Sequence, residues 1–109
     1  MILKDNPELQ AELVRRLVEV YRPKLIYLFG SQALVEPGPG SDVDIYVVVE
    51  SSSEGLAGRI YHGTKALYDL DIAVDLLVFT EAEIADRIEH PATLEHKIWT
   101  NGKKLYEAA

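Results

Sequence analysis

Residues 42–49 read Asp-Val-Asp-Ile-Tyr-Val-Val-Val, and a run this dense in β-branched side chains is built for a strand, with its carboxylates confined to one end. A lone strand leaves its backbone donors and acceptors unsatisfied, so the chain must supply neighbours for it. Two candidates do so. Leu25-Ile26-Tyr27-Leu28-Phe29 is short, apolar and bounded by Pro23 and Gly30, and Ile72 to Phe79 forms another apolar run. Between and around these strands the period changes to that of a helix. Asn6-Pro7 offers a cap and a proline at the first helical position, followed by Leu9, Leu13, Val14, Leu17, Val18 and Tyr21 at helical spacing up to Pro23. Ser51 to Glu54 offers a capping box for a helix carrying Leu56, Ile60, Tyr61, Leu67 and Tyr68. Thr80-Glu81-Ala82-Glu83 offers a clearer one for a helix through about Glu89, which His90-Pro91 breaks. Leu94, Ile98 and Trp99 mark a last short helix ended by Asn101-Gly102, and Lys103 to Tyr106 can add a small extended edge. Strands separated by helices predict an α/β (α+β) fold, with a small sheet flanked by helices.

The 109 residues suffice for a single domain spanning 1–109, and no repeat, low-complexity tract or linker divides them. With no cysteine, disulfide frameworks and thiolate chemistry are excluded, which is compatible with a reducing, cytoplasmic setting. No apolar run approaches the roughly 20 residues that span a bilayer, and Met1 to Asp5 lacks a signal pattern, so the chain reads as soluble and intracellular without a membrane partner. Eleven Lys and Arg against 18 Asp and Glu give a net charge of −7 with the cations scattered, which argues against direct nucleic acid binding. A small nucleotide is still compatible with that charge, because a bound divalent cation can reverse the local sign within one cleft.

The chemistry is concentrated where the first two predicted strands approach each other. Asp42 and Asp44 are two apart on a strand, so they share a face with Cα atoms about 6.6 Å apart and can lean toward one cation. Crowded carboxylates raise one another's pKa until a proton or a metal relieves them, and hard oxygen donors of this kind suit Mg²⁺, whose remaining ligands are usually water and phosphate. Asp75 falls within the third predicted strand, where a buried carboxylate is costly unless compensated. Paired beside the second strand, it could complete a two-ion site and accept a proton from an attacking hydroxyl. Asp71 has the same strand parity but fits better as the polar entry to the strand. Gly30 permits close backbone approach after the first strand, and Ser31 offers a hydroxyl and backbone N–H groups at the start of a helical turn within Ser31 to Glu36, a seat for phosphate. Pro37-Gly38-Pro39-Gly40 then reads as a turn. His62, His90 and His96 lack metal-ligand spacing, Trp99 and the tyrosines read as packing residues, and no Walker-type loop is present.

Leu28-Phe29-Gly30-Ser31, ten residues, then Asp42-Val43-Asp44-Ile45 resembles the signature of the nucleotidyltransferase superfamily that includes DNA polymerase beta, and the short chain is similar to its minimal nucleotidyltransferase members. The resemblance implies a mixed sheet backed by helices and Mg²⁺-dependent transfer of a nucleoside monophosphate from a triphosphate with release of pyrophosphate. It implies that Gly30 and Ser31 hold the triphosphate, that Asp42 and Asp44 hold metal, and that Asp75 is the third carboxylate. It further implies an antitoxin paired with a HEPN-family ribonuclease toxin and silencing it by moving AMP from ATP onto a toxin tyrosine. A non-catalytic antitoxin that masks its partner, or transfer to a small-molecule alcohol, are the alternatives. Many minimal members carry basic residues just after Gly-Ser, as in Gly-Ser-Arg-Ala-Arg-Gly, whereas this chain has Gln32-Ala33-Leu34-Val35, which removes positive charge from the expected phosphate seat.

Overall fold

The computed structural model describes residues 2–33 and 42–109. A 3-10 turn, Leu3–Asp5, leads into α1 (Pro7–Tyr21), with Pro7 at the first helical position. Asn6 does not cap this helix through its side chain, because its amide donates instead to the Ile2 carbonyl at 2.8 Å. Arg22 closes α1 in the left-handed region (φ 47°), its N–H donating to the Val18 carbonyl at 2.8 Å just before Pro23. Then follow β1 (Leu25–Phe29), a single 3-10 turn (Gly30–Ala33), β2 (Val43–Val49), α2 (Leu56–Leu67), β3 (Val74–Thr80), α3 (Glu81–Ile84), α4 (Leu94–Asn101) and β4 (Lys103–Glu107). The sequence reading of Leu34 to Ser41, including the Pro-Gly turn, lies outside the described residues.

The four strands form one mixed sheet in the order β3-β2-β1-β4. β1 is antiparallel to both β2 and β4, while β2 and β3 run parallel with α2 as their crossover. The expected mixed sheet flanked by helices is therefore present, and the small extended edge after Gly102 is a true strand.

Alternation along the strands divides the packing into two faces. Ile26 and Leu28 of β1, Val43, Ile45 and Val47 of β2 and Leu76 and Val78 of β3 point to one side, where Leu13 and Leu17 of α1 and Leu67 of α2 cover them. Tyr27, Tyr46 and Val48 point to the other, against Ile84 of α3 and Ile98 of α4, with Phe29, Leu77, Phe79 and Trp99 packed around them. Trp99 tilts over Tyr27 (centroids 4.7 Å apart) and meets Tyr46 edge-on at 5.6 Å, while Phe79 stacks on Tyr46 at 5.4 Å.

Several boundaries differ from the sequence reading, and one concerns the site: β2 starts at Val43, so Asp42 lies just outside the strand. α2 starts after Gly55 with no side-chain cap, because Ser52 Oγ accepts the Glu54 N–H at 3.1 Å in a local turn and Glu54 reaches His62 Nε2 at 3.0 Å. β3 begins at Val74 rather than Ile72, since residues 68–72 turn and bend after α2, with Leu70 N–H donating to the Leu67 carbonyl. α3 has its Thr80–Glu83 capping box but stops at Ile84 instead of reaching Glu89. Beyond Ile84 only Ile88 supplies an apolar anchor among Asp86, Arg87 and Glu89, and residues 85–89 close as turns. Glu83 also grips the buried Arg59 guanidinium at 2.7 and 3.1 Å, and Arg59 donates to the Val78 carbonyl at 3.0 Å, tying α2, β3 and α3 together.

Candidate functional site

The parallel register sets Asp44 directly beside Asp75, and the antiparallel register sets the same Asp44 beside Phe29. All three residues lie on the aromatic face of the sheet, by parity with Tyr46, Leu77 and Tyr27. Beyond the part of this face that α3 and α4 cover, Asp44 is half-buried and Asp75 exposed among the described residues. The expectation of a buried Asp75 is corrected by this position: it is the second residue of an edge strand, and it is exposed. Asp71 lies in the bend before β3, outside the strand.

The electrostatics of Asp44 report the crowding. Burial pushes its carboxyl above the usual range, the charge of Asp75 and a shared hydrogen bond with it add to this, and the charge of Asp42 contributes last. Asp42 is exposed, immediately before β2, and acts on Asp44 through its field. Among the described residues, no three His, Asp or Glu side chains are gathered tightly enough to hold an ion by themselves. The structure thus brings Asp44 and Asp75 together, with Asp42 at their edge. Such a donor set fits Mg²⁺, which takes one or two carboxylates and fills its shell with water and substrate phosphate.

Gly30 closes the other side. It has a left-handed backbone (φ 69°) that favours glycine, and a Cβ built there would fall on Asp44 Oδ2, so any side chain would displace that carboxylate. Ser31 follows, half-buried in the 3-10 turn that begins at Gly30. The turn is anchored from below by Gln32, whose buried side-chain oxygen accepts the Leu3 N–H at 3.0 Å. The residue that departs from the basic pattern after Gly-Ser therefore holds the loop to the N-terminal turn. Its sequence signal is faint, because the partner lies 29 residues away.

Next to Gly30 lies a groove of about 500 Å³, lined by Phe29, Gly30 and Ala33 on one side and Leu94, Lys97, Ile98, Asn101 and Gly102 on the other. Phe29 and Gly30 belong both to this groove and to the neighbourhood of Asp44. Phe29 could have been found by strand parity once β1 and β2 were paired. The contribution of α4 has no local sequence signal, because it depends on how that helix docks.

The family described as Polymerase beta, Nucleotidyltransferase matches residues 11–109. No curated protein matches the chain. Among solved structures, a candidate nucleotidyltransferase from Sulfolobus solfataricus is 22% identical, with a TM-score of 0.63 over 92% of this chain and 78% of its own. A mutant of the toxin-antitoxin MntA-HpeT is 23% identical, with a TM-score of 0.66 over 91% of this chain and 73% of its own. A toxin-antitoxin with AMP-PNP is 25% identical, with a TM-score of 0.65 over the same shares.

Proposed function

Since this chain belongs to the polymerase beta nucleotidyltransferase family, we propose that it is an antitoxin that transfers AMP from ATP to a tyrosine hydroxyl of a HEPN-family ribonuclease toxin and so silences it. The observation that carries the reading is the register that sets Asp75 of β3 beside Asp44 of β2, with Gly30 pressed against the same carboxylate. Likeness to two toxin-antitoxin structures, one holding AMP-PNP, supports a toxin partner and an adenine nucleotide.

In this reading Asp44 and Asp75, with Asp42, hold Mg²⁺, while Gly30 and Ser31 receive the triphosphate. Bound Mg²⁺ supplies neutralisation of phosphate charge and alignment of the reacting oxygens. The chain's own part is positional. Gly30 lets the backbone approach the phosphates, and the Ser31 hydroxyl and N–H donate to their oxygens. The toxin tyrosine oxygen attacks the α-phosphorus, the bond to the β-phosphate oxygen breaks, pyrophosphate leaves, and a carboxylate oxygen of Asp75 accepts the phenolic proton. The exposure of Asp75 suits an acceptor hydroxyl delivered by a docked protein.

Incubation with the partner toxin and α-labelled Mg-ATP tests this. Label should move to a toxin tyrosine, and Asp44→Asn should lower the rate by several orders of magnitude, since metals and positioning carry most of this chemistry. The same change removes the repulsion from Asp75, so the melting temperature should hold or rise, which separates lost chemistry from lost folding. Full-rate labelling by Asp44→Asn would overturn the assignment. The lack of basic residues after Ser31 favours masking by binding as the second reading; neutralisation by the Asp42→Asn, Asp44→Asn double variant as effective as that by the parent would establish it.

A further inference from the structure

The nucleotide site described above has a charge deficit. Between Lys24 and Arg59 the sequence contains no Lys, Arg or His, so neither β1, β2 nor the loop joining them brings a cation to a triphosphate of about four negative charges. Two or three carboxylates face the same place. Mg²⁺ offsets part of this, but the phosphate tail still needs donors with positive charge.

The groove beside Gly30 has one among its lining residues, Lys97 of α4. It lies on the sheet face that carries Asp44 and Asp75, since α4 packs on that face through Ile98 and Trp99. The groove reaches the carboxylates through Phe29, the register partner of Asp44, and through Gly30, whose missing Cβ makes room for Asp44 Oδ2. Several described cations are already paired: Arg15 and Arg16 with Glu12, Lys24 with Glu50, Arg59 with Glu83, Arg87 with Glu95, Lys104 with Glu107. Among the described residues Lys97 has no ion-pair partner, and its side chain is exposed. The lysine stem can lie along apolar Leu94 and Ile98 while the ammonium stays wet and movable.

We propose that Lys97 binds the β- and γ-phosphates of the nucleoside triphosphate, so that a cation from α4 replaces those missing after Ser31. Resting on the transferase reading, this deepens it by assigning the phosphate-binding charge. A Lys97 ammonium donating to phosphate oxygens makes binding depend on the length of the phosphate tail and on salt.

Calorimetric titration of the purified chain with Mg-ATP and with AMP separates the outcomes. Lys97→Ala should weaken Mg-ATP about 10- to 100-fold, the range of one charge-assisted hydrogen bond, and leave AMP within about twofold. The loss should shrink as ionic strength rises, and Lys97→Arg should restore most of the affinity. Lys65→Ala, the same charge change on α2 at the opposite face, should leave both ligands unchanged. Equal binding of Mg-ATP by Lys97→Ala and the parent overturns the assignment while leaving the transferase reading standing. Equal losses for Mg-ATP and AMP also overturn it, placing the nucleoside rather than the phosphates in the groove. A parent chain that takes up no Mg-ATP removes both readings together.

Discussion

The two faces of the sheet solve different problems with the same strands. On one, aliphatic side chains from β1, β2 and β3 meet α1 and α2, and Ile45, Val47, Leu13 and Leu17 are fully removed from solvent. On the other, aromatic rings and a buried polar pair meet two short helices, and among the described residues Asp44 is only half-buried and Asp75 exposed. β2 serves both faces at successive residues: Asp44 to the candidate site, Ile45 to the aliphatic side, Tyr46 to the aromatic side. The aliphatic face has the larger cluster of buried side chains and none of the candidate site residues. The other carries crowded carboxylates at its end.

Ile45→Ala should show the larger stability effect. Truncating a fully buried isoleucine between α1 and α2 costs about 2–5 kcal/mol through lost transfer energy and a residual cavity. Chemical denaturation should show that loss, while Mg-ATP affinity of the remaining folded protein stays at the parent value. A change in affinity as large as the change in stability would mean that the faces are coupled through β2 rather than independent.

Tyr46→Phe probes the opposite side and should be smaller. The Tyr46 hydroxyl donates to Glu95 Oε2 at 2.8 Å, both residues are buried, and burial, reinforced by that carboxylate, holds the phenol in its protonated form. The nearest cation, Arg87 Nη1, is 3.9 Å from the other Glu95 oxygen, too far for a good hydrogen bond. Losing the donor leaves a buried carboxylate short of a partner, at about 1–3 kcal/mol. Because Glu95 belongs to α4, the same variant should also weaken Mg-ATP binding, and Glu95→Gln in that background should recover part of the stability. A stability loss exceeding that of Ile45→Ala would reverse the ranking of the faces.

Legibility in the sequence followed the range of the interactions involved. The strands at 25–29 and 43–49 could be read because β-branched density and flanking Pro and Gly are local signals. The juxtaposition of Asp44 with Asp75 followed from parity plus one assumption, that the third strand pairs beside the second, and the register bears that assumption out. The exposure of Asp75 did not follow, because edge position and helix cover are tertiary facts. Nor did the early end of α3: its capping box is a correct local signal, but the next turn has too little apolar surface to be held. Lys97 carries no local signal in the sequence, since only the docking of Ile98 and Trp99 brings α4 to the Gly30 turn.

The smallest expected effect concerns the clasp between the faces. Arg59 reaches Glu83 across the end of β3, and hydrogen bonds from Arg59 and then from Thr80 hold the Glu83 carboxyl at about 2, below its ordinary value of 4.5. A carboxylate depressed in the folded state contributes stability that is fully present above the unfolded value and lost as pH falls from about 4.5 toward 2. Glu83 is 43% exposed at its side chain, so solvent screening reduces the contribution well below what the shift alone would suggest. Glu83→Gln should therefore flatten the acid limb of the stability profile between those limits. Near pH 7 it should lower stability modestly, because the nearly buried Arg59 keeps its carbonyl acceptors on Val78 and Glu54 but loses its counter-charge. Thermal melts across pH 2–7 would show this as parent and variant curves that converge in acid, and curves that stay parallel would place the clasp's contribution in packing rather than in charge.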